Sequence, residues 1–168
     1  MSRSHDETKT DYEQRMLDDI EKYGWFCTNV FDPDSISPSF AYSVGFTQTL
    51  NCPEFIVFGL DGKLMHSILW GVFEQIRDGK LPGNDQRWTD LISGYDCISR
   101  AVHPTNVIRD YLNSAMWYWG TPEKKEPLKA FQIVWPGYGN GLFPWDDNCP
   151  QIVRDAQPAL YLPHRSLS

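Results

Sequence analysis

The residues best suited to chemistry in this chain are Cys52, Glu54 and His103, and they are scattered. Cys52 falls in a turn, where a thiol can meet solvent. A Cys–His nucleophilic pair forms in space and not in sequence, so spacing leaves two readings: an activated thiol, or a turn cysteine packed beside Pro53, which is favoured. Glu54 opens the apolar run EFIVFG. A carboxylate there either anchors backbone donors or works as an acid or base with a raised pKa, and the anchor is favoured. His103 precedes Pro104 at a strand-to-helix junction. The four histidines, His5, His66, His103 and His164, make neither H-x-x-x-H nor H-E-x-x-H, so no metal site is expected. Asp146 and Asp147 read as an exposed turn before they read as cation ligands.

A second set suits ligand binding. Gln132 interrupts the apolar strand AFQIVW, and if buried it must be hydrogen-bonded, either to the following loop or to a ligand. Tyr42 and Ser43 raise the same choice. Trp135, Phe143 and Trp145 bracket WPGYGNGLFPW, where the aromatic rings either staple an irregular loop or rim a small-molecule pocket. The glycines there lack dinucleotide-fingerprint spacing and no helix signal follows them, so a phosphate cradle is not written.

The elements that position these residues follow from periodicity. Helical spacing predicts helices over residues 11–23, 63–78 and 104–117. Strands are predicted over 25–31, 40–46, 54–59, 95–102 and 130–135. The strand SFAYSVGF has two unlike faces. Phe40, Tyr42, Val44 and Phe46 lie on one, and the nearly bare Ala41, Ser43 and Gly45 on the other. A bare face admits close approach, here read chiefly as the place where a helix or the FPW loop packs. EFIVFG, apolar on both faces, is the expected central strand. The tail from Gln151 carries apolar residues and is expected to pack back over the domain. The result is an α+β fold: a single domain, a mostly antiparallel sheet of about five strands, and three helices. Residues 1–10 are read as a disordered tail, 11–163 as the domain and 164–168 as a second tail.

Composition narrows the function. The formal net charge of −7, from 15 Lys+Arg against 22 Asp+Glu, argues against nucleic acid and is compatible with a basic partner. No apolar run is long enough to span a bilayer. The N-terminus is polar and the four cysteines show no C-x-x-C, which together read as reduced thiols in the cytoplasm. No cofactor is expected.

The segments GWFCTNVFDPDSISPSFAYSVGF, PEFIVFGL, QIVWPGYGNGLFPW and Gln157-Pro158, in this order, resemble the bacterial family catalogued as domain of unknown function 4262. The resemblance runs from about residue 23 to 158, and it adds Gln157 to the candidate ligand-binding residues. It implies a histidine where Cys52 stands and an aspartate where Gly137 stands. If those two act in the family, the chemistry is altered here or Cys52 takes it over. The leading expectation is a non-enzymatic module that binds a protein partner or a small molecule, in a setting such as defence or toxin immunity. The alternatives are a hydrolase-like enzyme with its pocket between the FAYSVGF strand and the FPW loop, and a flavin or nucleotide binder.

Overall fold

The computed structural model describes residues 10–34, 36–120 and 126–164. Helix α1 (Asp11–Tyr23) begins with a capping box. The Thr10 side chain accepts from the Glu13 amide, and Glu13 accepts from the Thr10 amide, both at 3.0 Å. Strands β1 (Phe26–Val30) and β2 (Phe40–Val44) pair antiparallel. A one-turn helix, α2 (Phe46–Thr49), leads to β3 (Glu54–Phe58). The long helix α3 (Gly62–Arg77) follows, capped by Asp61. The hairpin β4 (Gln86–Ile92) and β5 (Tyr95–Ala101) comes next, then a 3-10 turn (Pro104–Asn106) and α4 (Arg109–Trp119). Strand β6 (Ala130–Val134) and a short α5 (Gln151–Ala156) complete the described elements.

The six strands run β1-β2-β3-β6-β5-β4, and among the described residues the β3–β6 pair alone is parallel. β3 is therefore central, and all five of its residues are buried. Phe55 and Val57 enter the core under α3 with Ile68, Leu69 and Trp88. Ile56 and Phe58 enter the core on the opposite face, with Met16 of α1 and Leu112 and Ala115 of α4. Ala41, on the bare side of β2, packs in the α3 core, so a helix is what approaches that face.

Two local expectations are corrected, and two elements are added. Phe46 does not continue the aromatic face of β2. Gly45 takes φ +107, turns the chain into α2, and swings Phe46 into the α3 core. Strand β4 was not foreseen, because its inward residues Trp88 and Leu91 are three apart across a register shift, which erases the period of two. The expected helix over 104–117 is a 3-10 turn followed by α4, and α4 itself kinks at Leu112 (φ −135). The tail does pack back, but through a six-residue helix, α5, that its sequence did not announce. Most of the expected 1–10 tail, including His5, and residues 165–168 lie outside the described residues.

Candidate functional site

Glu54 is wholly buried at the start of β3, and no cation meets it among the described residues. Its Oε1 accepts from Ser43 Oγ at 2.7 Å and the Phe46 amide at 3.1 Å. Its Oε2 accepts from the amides of Gly45 (3.0 Å) and Thr47 (3.2 Å) and from Thr47 Oγ1 (3.3 Å). Ser43 Oγ also accepts from the Phe55 amide at 2.9 Å, so its proton is free to point at the carboxylate. The cluster supplies the orphan amides at the start of α2 with acceptors. Burial pushes the Glu54 carboxyl up to about 7, against the opposing pull of these donors. Every oxygen is engaged within the chain, which is what an anchor requires.

Cys52 lies two residues away. Burial, then the nearby Glu54, pushes its thiol up to about 12, and its Sγ donates to the Pro53 carbonyl at 3.4 Å. A thiol so held is not a ready nucleophile. His103 caps the 3-10 turn, with Nδ1 3.2 Å from the Thr105 amide and 2.8 Å from Thr105 Oγ1. The ring thus serves the local turn.

The candidate ligand-binding residues divide into three places. Tyr42 Oη accepts from the Ser114 amide at 2.8 Å, two residues beyond the kink at Leu112 in α4. Tyr42, Ile56, Gln132 and Arg100 form one row across the sheet. Ile56 stands between Tyr42 and Gln132 in that row and is buried with Leu160 in the core on that face. Gln132 donates to the Pro158 carbonyl at 2.9 Å and accepts from the Leu160 amide at 3.0 Å, holding the C-terminal tail to the sheet. Gln157 imitates a strand partner. Its side-chain oxygen accepts from the Trp135 amide (3.0 Å) and its nitrogen donates to the Trp135 carbonyl (2.9 Å). The Trp135 indole donates to the Phe58 carbonyl at 2.7 Å.

Phe143 and Trp145 stack at 5.2 Å with planes 2° apart. Arg100 completes this group, its guanidinium 4.6 Å from the ring centres of both Trp145 and Tyr161 and its Nε 3.0 Å from Asp85. Neither Arg100 nor Tyr161 stood out in the sequence, because the pairing depends on the returning tail. The glycine loop is closed on itself. The Gly137 amide donates to the Leu142 carbonyl, the Gly141 amide to the Gly137 carbonyl, and the Gly139 amide to Tyr95 Oη. A Cβ on Gly137 would lie 2.6 Å from Asn140 Oδ1, so a side chain there would displace Asn140 from the Leu142 amide that donates to it at 2.8 Å.

These groups do not converge on one pocket. Ala130 pairs with Glu54, and Trp135 comes five residues later along the parallel neighbour. At ~3.3 Å per residue the two lie ~16 Å apart, at opposite ends of the sheet. The FPW loop forms its own neighbourhood: Trp145 packs on Phe143, Arg100 and Tyr161, and it does not line the recess beside Cys52.

What opens beside Cys52 is a recess of two lobes. One, of about 270 Å³, is lined by Thr47, Asn51, Cys52 and Lys129. The other, of about 320 Å³, is lined by Val102, Val107, Met116 and Leu128. Trp119, Glu126, Pro127 and Lys129 border both. No histidine lines either lobe among the described residues. Of the residues singled out in the sequence, Cys52 lines this recess; Trp119 and Lys129 do not stand out there. Nothing in the chain order links the end of α4 to the start of β3.

The chain belongs to the family described as Domain of unknown function (DUF4262), which matches residues 19–150. No curated protein and no solved structure matches it. No group of three or more His, Cys, Asp or Glu able to hold a metal occurs among the described residues. No helix among them is long and apolar enough to cross a membrane.

Proposed function

We propose that this domain is a non-enzymatic binding module, and that its ligand is a small amphipathic molecule: an apolar chain ending in a carboxylate or similar acceptor. The observation that carries the reading is the two-lobed recess. An apolar lobe beside Val107, Met116 and Leu128 continues into a polar lobe with Thr47, Asn51, Glu126 and Lys129, in which Lys129 is the partner for an anionic head. Such a pairing takes a hydrocarbon at one end and an anionic head at the other. The engaged state of Glu54 and the unactivated thiol of Cys52 favour binding over covalent catalysis.

Straight-chain carboxylates from hexanoate to decanoate test this by calorimetric titration. Each buried methylene is worth ~0.8 kcal/mol, so the dissociation constant should fall about fourfold per added carbon until the lobe is full. Val107→Trp fills the apolar lobe and should abolish the trend. A flat chain-length series, or unaltered binding by V107W, refutes the reading.

A further inference from the structure

We propose that the free edge of β1 accepts an added strand from a partner protein, an extended segment with alternating apolar side chains and basic flanks. The two edges of the sheet are built differently. β4 carries Arg87 and Asp90 and a register shift between Trp88 and Ile92, with Asp90 at φ +64. These features spoil an edge for pairing. β1 reads FCTNV, with no charge, no proline and an unbroken register of five pairs to β2.

The outward backbone groups follow from the ladder. The Gly59 amide donates to the Ser39 carbonyl at 2.8 Å, which extends the β2–β3 register by one residue. Antiparallel bonding alternates along a strand, so Ser39 and Ala41 point their backbone groups at β3, and Phe40, Tyr42 and Val44 point theirs at β1. Their partners Val30, Thr28 and Phe26 are then engaged with β2. The amides and carbonyls of Cys27 and Asn29 therefore face away from the sheet, a template for strand addition.

The surroundings suit such a guest. Two recesses, about 420 and 400 Å³, lie along this edge and share His66. Phe31, 72% exposed, lines the first, and Tyr23 and Trp70 line the second. Trp25 also lines the second, and its buried indole N–H has no hydrogen-bond partner. Side chains on one face of an added strand recur every ~6.6 Å and would enter these recesses in turn. Asp19 lines the Tyr23 end, and Asp32 and Asp34 follow Phe31 at the other, while Lys63 is the basic residue of the first recess. The Asp32 carboxyl is held below its ordinary value by the amides of Asp34, Ser37 and Ile36, so it is charged. Acids at both ends favour a guest with basic flanks. They also oppose a second copy of this chain, whose two-fold pairing would set acid against acid.

The test is fluorescence anisotropy of the intact chain with a labelled peptide, Lys-Lys-Val-Thr-Val-Thr-Val-Lys-Lys, and with the same peptide N-methylated at its three valines. Binding of the first is expected, weakened at least about tenfold by N-methylation. Asn29→Pro removes an outward amide while sparing the β2 ladder, and should weaken binding equally with a near-native melting curve. Slowed hydrogen exchange at the Cys27 and Asn29 amides of the unaltered chain, on adding the peptide, supports the proposal without any variant. Equal binding of the N-methylated peptide, or none of either up to about 1 mM, overturns it. A homodimer in sedimentation that N29P dissociates names a second copy as the occupant, and overturns the basic partner.

Discussion

Glu54→Gln tests the buried carboxylate against the donors that hold it. In the folded chain burial raises this carboxyl from its ordinary 4.5 to about 7. A carboxyl with a raised folded pKa favours folding most when protonated. Its contribution is complete below about pH 4.5 and is lost as pH rises through 7. Each unit is worth ~1.4 kcal/mol, so the loss amounts to about 3 kcal/mol. Glutamine cannot ionise and keeps one acceptor. Its amide nitrogen is best placed at the Oε1 position, where Ser43 can turn its hydroxyl but the Phe46 amide loses its acceptor, costing ~1–3 kcal/mol. The variant should therefore be the weaker protein at pH 5, and should draw level with or overtake the parent by pH 8. Urea denaturation of both proteins, followed by tryptophan fluorescence at pH 5, 6, 7 and 8, gives the difference with all other titrations cancelled. A stability gap that stays constant to within about 0.5 kcal/mol across this range would refute the reasoning, because it would mean that Glu54 does not change charge there.

Two further outcomes follow from the packing. Tyr42→Phe removes the acceptor of the Ser114 amide at the α4 kink and should cost ~1–3 kcal/mol in urea denaturation. A loss below about 0.5 kcal/mol would mean that the kink closes to satisfy that amide itself. Gly59→Ala meets two obstacles, a φ of +81 and a Cβ set against the Ala156 carbonyl, and should lower the melting temperature by roughly 5 °C or more. An unchanged melting temperature would show that α5 is free to move off β3.

The sequence was most informative where one element carries its own signal. The span of α1 and the central place of EFIVFG follow from periodicity and from apolarity on both faces. It was least informative at β4, whose bulge hides its two inward residues, and at α5, which is too short to show a period. The candidate residues fared in the same way. Glu54 announced itself as a carboxylate in an apolar strand, and Gln132 as an amide in another, since a polar group there demands partners. Their partners are local for Glu54, within residues 43–47, and distant for Gln132, at 158 and 160.

The chain by itself determined the α+β class, the family, the bare face that a helix must cover, and the need to satisfy Glu54 and Gln132. Only the tertiary structure decided that Cys52 and Trp145 belong to different neighbourhoods. The parallel pairing of β3 with β6 places Glu54 beside Ala130 and carries Trp135 to the far end, while Arg100 of β5 and Tyr161 of the returning tail hold Trp145. Register between strands more than 70 residues apart is set by how two faces pack against α3 and α4, and no local pattern encodes it.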